Sequence, residues 1–217
     1  MKLVVLGASG GCGAHLVTLA VARGHAVTAV ARASSKLTAP PGVTTMRGSL
    51  DDEAFLREAF RGSDAVLSAL GLRLPGIAPW HRPEDPTFLD RSTAAIVAAM
   101  KAEGVRRAVA ISAGGVGDSY EAVPGAFRVF LKTTALRHVY PALERMERVW
   151  LASGLDVCIP RPTGLTDAPA TGRARAVARV VGRADIPRAD VAAWMLDAVE
   201  RPAFEARTPM LTVTGAP

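Results

Sequence analysis

Short apolar segments alternate with longer segments of helical spacing along most of the chain. Lys2–Leu6 carries four consecutive apolar residues and runs into glycines, which is typical of a buried strand. His15–Arg23 then has apolar residues at helical spacing and stops at Gly24, a common end for a helix. Further strands are predicted over Ala26–Ala31, Val43–Arg47, Ala65–Ala69, Arg107–Ser112 and Leu155–Pro160, and further helices over Asp51–Phe60, Leu89–Glu103 and Leu143–Ser153.

This alternation predicts a Rossmann-type α/β fold, in which a doubly wound parallel sheet lies between two layers of helices. The length of 217 residues suits a single domain with these three layers. The stretches 71–86 and 114–124 are rich in glycine and proline and are predicted to be loops. We expect residues 161–217 to complete a ligand cleft rather than to form a second domain. In that part the pattern predicts a strand over Ala176–Val181, a helix over Arg188–Glu200 and a last strand over Pro209–Val213.

Composition excludes several classes of protein. Hydrophobic residues make up 49% of the chain and charged residues 21%, which argues against disorder. Two cysteines are too few for a disulfide framework, and the four histidines show no metal-ligand spacing. No apolar run reaches the roughly 18 residues of a membrane helix, and the apolar start is too short for a signal peptide. We therefore expect a cytoplasmic protein without a membrane partner or a metal.

The net charge of +6 favours anionic partners such as a phosphorylated ligand. The arginines are spread along the chain, and the aromatic share of 5% leaves few side chains on which bases could stack. We therefore expect no nucleic-acid partner. A small-molecule substrate is the expected partner of a protein that is a monomer or a homodimer.

The glycine-rich turn after the first strand is the strongest functional signal. Glycines at positions 7, 10 and 13 would allow a tight turn, leave space for a pyrophosphate and let the first helix pack close to the strand. The free N–H groups at the helix start would then hold the phosphates. The residues predicted to bind a dinucleotide here are Gly7, Ser9, Gly10, Gly11, Cys12 and Gly13.

The end of the second strand indicates which nucleotide is bound. NAD sites place an acidic residue about 20 residues past the turn, where it bonds the ribose 2′-hydroxyl. This chain has no acid there and instead offers cations and hydroxyls for a 2′-phosphate. We therefore expect NADP(H) to be preferred over NAD(H), although an exposed basic loop is the alternative for Lys36. The residues concerned are Arg32, Ser34, Ser35 and Lys36.

Several motifs in order along the chain resemble one known family. The sequence is similar to atypical short-chain dehydrogenases/reductases, in the NAD(P)H-binding group that includes NmrA-like proteins and flavin reductases of the biliverdin reductase B type. The resemblance implies the same fold and does not name a substrate. The matching stretches are Gly7–Gly13, Gly62–Val66 leading to Leu70 and Gly71, Ile96–Lys101, Val109–Ala113, Ser153–Leu155 with Arg161 and Pro162, and Ile186–Ala192.

The typical catalytic Tyr-x-x-x-Lys motif of short-chain dehydrogenases does not occur in this sequence. Tyr120 is followed four places on by Pro124, and Tyr140 by Glu144. The resemblance instead places the active-site serine at Ser112, at the carboxyl end of the fifth strand, where ligands bind. A serine that only caps the strand is the alternative.

The resemblance also implies further contacts around the nicotinamide and the adenosine. Pro160 and Thr163 follow the sixth strand, and Thr163 stands where the biliverdin reductase B type has a histidine. That departure counts against biliverdin itself. Ser49 and Leu50 follow the third strand, and Ser49 replaces an aspartate common in the family. The small residues that end the fourth strand are expected to pass beside the cofactor ribose, with ordinary packing as the alternative; they are Ala69, Leu70 and Gly71.

Two segments are candidates for substrate contact. Phe127 and Phe130 lie in an apolar stretch with Arg128 and Lys132, which would form a lid over a flat aromatic substrate or, equally, a core or dimer helix. Trp80 and His81 lie in the 71–86 loop, with His81 as a candidate proton donor, although loop histidines are more often solvated.

Three functions fit these observations. The first is an NADPH-dependent reductase that transfers hydride to a small planar acceptor such as a flavin, a quinone or a related tetrapyrrole, as the resemblance implies. The second is a non-enzymatic NADP(H)-sensing regulator of the NmrA type, which the missing tyrosine–lysine pair favours. The third is an epimerase or dehydratase, which normally needs that pair and a larger C-terminal region.

Overall fold

Six parallel strands form the central sheet of the computed structural model, which describes residues 1–182 and 184–213. The strands lie in the order β3-β2-β1-β4-β5-β6, and every neighbouring pair is parallel. In chain order they are β1 (Lys2–Leu6), β2 (Ala26–Ala31), β3 (Thr44–Arg47), β4 (Ala65–Ser68), β5 (Arg107–Ala110) and β6 (Asp156–Cys158).

The strand order reverses direction between β1 and β4. The chain winds outward from β1 to β3, then returns to the other side of β1 and winds outward again to β6. In such sheets the connections after β1 and β4 diverge and leave a crevice at the carboxyl edge, where ligands bind.

Helices cover both faces of the sheet. Helices α1 and α6 pack together on one face, and α2, α3 and α5 pack on the other. Each face of the sheet has its own hydrophobic core, and successive strand residues point into opposite cores. Val4 packs in the core that contains Phe60 and Trp150, whereas Val5 packs in the core that contains Leu16. The helices are α1 (Gly11–Ala22), α2 (Glu53–Phe60), α3 (Phe88–Ala102), α4 (Gly125–Thr133), α5 (Tyr140–Ala152) and α6 (Arg188–Glu200), with 3₁₀ helices at Gly117–Ala122 and Ala135–His138.

Short strands after β6 form two small additional sheets. One has the order β7-β11-β9 and the other pairs β10 with β8. They are β7 (Arg161–Pro162), β8 (Gly164–Thr166), β9 (Arg175–Val177), β10 (Asp185–Pro187) and β11 (Met210–Thr212). Within residues 1–182 and 184–213, no helix has both the length and the apolar character needed to cross a membrane.

The predicted three-layer fold is confirmed, and the differences lie at element boundaries. The first helix begins at Gly11 rather than His15, because the Ala14 N–H already donates to the Gly10 carbonyl. The strand predicted over Ala176–Val181 is shorter and ends at Val177. Strands β7, β8 and β10 were not predicted, since two or three residues are too few to show a period.

Candidate functional site

The turn between β1 and α1 is closed by glycines that lie against neighbouring backbone. Gly7 has a φ of 74°, which favours glycine. A Cβ added to Gly7 would lie 2.8 Å from the Ala69 carbonyl oxygen, and one added to Gly13 would lie 2.1 Å from the Gly7 oxygen. Helix α1 therefore starts directly against β1. The free N–H groups of its first turn lie at the carboxyl edge of the sheet, where a phosphate can accept from them.

A polar cavity of about 290 Å³ opens beside this turn, at the end of β2. Among the described residues that line it there are three cations and no carboxylate, a combination that attracts a phosphate. The sequence-predicted cations after β2 are thus brought together with a hydroxyl of the glycine turn. The lining residues are Ser9, Arg32, Ser34, Ser35, Lys36 and Arg73.

Two arginines that shape this cavity were missed by the sequence reasoning. Arg73 reaches the cavity from the loop after β4. Arg47, the last residue of β3, donates to the carbonyl oxygens of Ser35 and Leu37 at 2.5 and 3.3 Å and so fixes the backbone of the cationic segment. Arg73 could have been found from the sequence, because it is a basic residue only two places after Gly71. Nothing near Arg47 in the sequence indicates that it binds the backbone after β2.

Other predicted nucleotide contacts lie at the same edge but have partners within the protein. The Ser49 hydroxyl accepts from the Asp51 N–H at 3.2 Å, and Leu50 is buried in the core with α2. Leu70 packs against the glycine turn, while Gly71 has open space on its side-chain side. Contact of these residues with a nucleotide stays a prediction.

Arg188 of α6 covers the start of α1. Its Cδ and Nε lie 2.5 and 2.9 Å from the point that a Gly11 Cβ would occupy, and its Nη1 donates to Asp167 at 2.8 Å. Cys12 is buried beside this pair, and burial raises the pKa of its thiol to about 11, while the charge of Arg188 lowers it and that of Asp167 raises it. A guanidinium therefore lies where the helix N–H groups would meet a phosphate, a contact that no sequence pattern indicated.

Two buried hydroxyls follow strands β5 and β7. Ser112 donates its backbone N–H to the Pro160 carbonyl at 2.9 Å, and Thr163 donates its own to Leu211 at 2.9 Å. Neither Ser112 Oγ nor Thr163 Oγ1 has a hydrogen-bond partner among the described residues, although both atoms are buried. Because buried hydroxyls are normally paired, these two unpaired groups are candidates for contact with a ligand.

Tyr140 forms a hydrogen bond to the backbone that follows Ser112. Its hydroxyl donates to the Gly114 carbonyl at 3.0 Å, and Gly114 in turn donates to Pro162 at 2.8 Å. Burial raises the pKa of the Tyr140 phenol, which opposes its use as a proton donor near neutral pH. The tyrosine therefore braces the segment after β5.

A buried ion pair anchors the loop that follows β5. Arg161 and Glu147 are both nearly inaccessible and form two hydrogen bonds, of 3.0 and 2.6 Å. Arg161 also donates to Asp118 at 2.5 Å, which ties the 3₁₀ helix of that loop to α5 and β7. The loop beside Ser112 is thus held by charge as well as by packing.

The candidate substrate residues lie on two segments that contact each other. Trp80 is 76% exposed and its ring meets that of His81 edge to face, with centroids 6.0 Å apart. Phe127 and Phe130 stack at 6.1 Å, and Phe130 is 39% exposed. The two segments join where the Ala135 N–H donates to the Ile77 carbonyl at 3.0 Å. We call the segments 75–82 and 125–138 together the cap.

The profile of a protein family described as NAD(P)H-binding matches residues 7–202 of this sequence. The chain belongs to this family. The match includes the glycine turn, the cationic segment after β2 and the start of α6, so the site described above lies within the part of this NAD(P)H-binding protein that defines the family. The resemblance drawn from the sequence motifs is thereby confirmed.

Solved structures match this NAD(P)H-binding protein over nearly its whole length. An anaerobilin reductase, ChuY of Escherichia coli O157:H7, is 22% identical with a TM-score of 0.76, covering 97% of this chain and 96% of its own. A short-chain dehydrogenase/reductase of Veillonella parvula, solved in complex with NADP, is 18% identical with a TM-score of 0.79, covering 100% and 98%. At these identities the likeness establishes the fold.

Curated relatives match a shorter part. An isoflavone reductase homolog of Zea mays is 34% identical over 80 residues, which are 32% of this chain and 26% of the maize protein. A probable pinoresinol-lariciresinol reductase of Arabidopsis thaliana is 34% identical over 74 residues, or 24% of its length. The chain thus matches about a quarter of these reductases.

Proposed function

We propose that this protein is an NADPH-dependent reductase that passes hydride to a small planar acceptor. The observation that carries the proposal is the cavity at the end of β2, whose described lining pairs three cations with three hydroxyls and contains no carboxylate. Such a set fits a ribose 2′-phosphate and disfavours the free hydroxyl of NAD(H).

The described residues fit the rest of the dinucleotide as well. The first turn of α1 would hold the pyrophosphate with its N–H groups, and Arg188 would add a charge to that contact. Ser112 Oγ and Thr163 Oγ1, buried and unpaired, would receive the nicotinamide amide or the substrate. Since Thr163 and Arg188 follow Pro160, the region from residue 161 onward is proposed to complete the cleft.

The bound nicotinamide would supply the hydride, and the chain would supply position, exclusion of water and a hydrogen bond. Ser112 is proposed to orient the acceptor or to relay a proton from water. Conjugated acceptors need no strong acid from the protein, because their reduced forms can take a proton from solvent. Several of the similar proteins above are described as reductases, which supports the transfer of hydride to an acceptor. The identity of that acceptor is part of the proposal.

The test is NADPH oxidation at 340 nm with FMN, riboflavin, a quinone and biliverdin, each repeated with NADH. Turnover that is faster with NADPH supports the proposal. Tight NADPH binding with no oxidation of any acceptor refutes the reductase and leaves the nucleotide-sensing regulator.

Point variants test the assigned roles. Arg32→Ala and Arg73→Ala should each weaken NADPH binding by about ten- to a hundredfold and NADH binding little, since a charge-assisted hydrogen bond to phosphate contributes about 1.5–3 kcal/mol. Arg106→Ala is the matched control, because Arg106 is exposed and precedes β5, at the opposite edge of the sheet. Equal losses for both nucleotides would refute the 2′-phosphate assignment. Ser112→Ala should slow turnover and spare NADPH binding.

A further inference from the structure

The cap carries apolar side chains that face solvent. Ile77 is 59% exposed, Trp80 76%, Val129 61% and Phe130 39%. The cap is also linked to the segment after β5, since Tyr140, two residues beyond the cap, donates to Gly114, which is two residues after Ser112. Exposed apolar and aromatic side chains of this kind suit the ring system of the acceptor.

The cations that the sequence places beside this surface are already engaged. Arg128 forms an ion pair with Glu121, and its guanidinium lies 5.7 Å from the centre of the Tyr120 ring. Lys132 lies 5.7 Å from the same ring. These two side chains therefore have partners on the side of the cap that faces the 3₁₀ helix after β5.

A different basic cluster on the cap has no acidic partner. Arg82 Nη1 lies 2.9 Å from His138 Nε2, and Arg137 Nε lies 3.1 Å from the same nitrogen. Arg137 also donates to the Pro79 carbonyl at 3.1 Å. Among residues 1–182 and 184–213, no carboxylate forms a hydrogen bond or an ion pair with Arg82, Arg137 or His138.

The cluster brings two guanidinium groups together without an acidic partner among the described residues. Partial burial and the charges of Arg82 and Arg137 lower the pKa of His138, because neighbouring positive charges oppose the addition of another. An anion satisfies such a pair much better, because a carboxylate or phosphate matches the planar fork of arginine.

We propose that Arg82, Arg137 and His138 form a subsite for an anionic group of the substrate, beside the apolar part of the cap that receives its rings. This rests on the proposed function and narrows it to planar acceptors that carry a carboxylate or a phosphate. Arg82 is two residues from Trp80, and Arg137 holds the Pro79 carbonyl, so ring and anion would bind within one short stretch of surface.

Equilibrium binding of matched probes tests the subsite without any turnover. Anthracene-9-carboxylate is compared with anthracene-9-methanol, and FMN with riboflavin, by calorimetric titration of the protein with and without NADP⁺. The charged member of at least one pair should bind about five- to tenfold more tightly, as a partly exposed charge-assisted contact provides. The two pairs show whether the anion is a carboxylate or a phosphate.

The variants Arg82→Gln and Arg137→Gln should remove this preference and leave the neutral probes unchanged. Arg106→Gln is the matched control, and thermal unfolding checks that each variant is folded. No preference for either charged probe in the unmodified protein overturns the subsite, and so does an equal loss for charged and neutral probes in the variants. A charge preference without NADPH oxidation would retain the subsite and refute the reductase.

Discussion

Replacing Gly13 by alanine should destabilise the fold itself. The added Cβ would lie 2.1 Å from the Gly7 carbonyl oxygen and 2.8 Å from its carbonyl carbon, and both atoms are backbone that cannot rotate away. Carbon–oxygen contacts normally close to about 3.3 Å, so helix α1 would have to retreat by about 1 Å. That retreat would pull the buried Leu16 and Val17 out of their packing against the sheet.

The size of the effect follows from this overlap. Forcing an extra methyl into a packed site costs about 1–3 kcal/mol, and an overlap with backbone belongs at the upper end. For a chain of this length, each kcal/mol lowers the melting temperature by about 2–4 °C. Gly13→Ala should therefore melt about 6–12 °C below the unmodified protein in nucleotide-free buffer, as measured by circular dichroism.

Gly10→Ala is the matched control within the same motif. Gly10 has a φ of −85° and a ψ of 166°, which alanine adopts freely, and its Cβ would lie 3.2 Å from the Gly7 oxygen. We expect its stability to change by no more than about 1 kcal/mol. Its methyl group would instead occupy the space into which a pyrophosphate must come, so NADPH affinity should fall. Equal melting temperatures for the two variants would contradict the overlap of the Gly13 methyl group with the Gly7 backbone.

Three further predictions concern buried groups. Glu147→Gln leaves the buried Arg161 with only the exposed Asp118 as a counter-charge and should lower the free energy of unfolding in urea by about 3 kcal/mol, the lower end of the cost of breaking a buried pair; a loss below about 1 kcal/mol would contradict the buried pair. Tyr140→Phe removes a hydrogen bond and should leave the shape of the pH–rate profile unchanged, whereas a shifted limb would make the phenol a proton donor. Because burial raises the pKa of Cys12 to about 11, its alkylation by iodoacetamide should be slow at pH 7.5 and accelerate as the pH rises towards 11; rapid alkylation at pH 7.5 would contradict this.

The sheet and its helices could be predicted because their signals are local. Runs such as Leu3–Leu6 are apolar throughout, since parallel strands are covered on both faces, and helices such as α3 show a clear apolar stripe before Gly104. The cationic segment after β2 was predictable for the same reason, because Arg32 and Lys36 follow directly from the end of a strand. Short strands such as β7 lacked the length to show a period.

The contacts that the sequence could not show are made between distant parts of the chain. Arg188 reaches Gly11 because α6 packs on α1, and Arg161 meets Glu147 because β7 passes beneath α5. The sequence around each of these arginines has no distinguishing pattern. Whether an arginine has a carboxylate partner depends on which distant segments the fold brings next to it. His138 had no role on sequence grounds for the same reason, since Arg82 comes from another segment.

The distribution of partners, rather than the total charge, indicates what this basic protein binds. A net charge of +6 is compatible with many anionic ligands. Arg161 is neutralised by a buried acid, and Arg91 by two acids at the surface, so their charges are used within the fold. By contrast, the cavity with Arg32 and Arg73 and the cluster on the cap hold cations close together without acids among the described residues. Holding like charges together costs free energy, and an anionic ligand at each place would recover it. The two places are those proposed above for the 2′-phosphate of NADPH and for the anionic group of the substrate, and a reductase of anionic acceptors would need both.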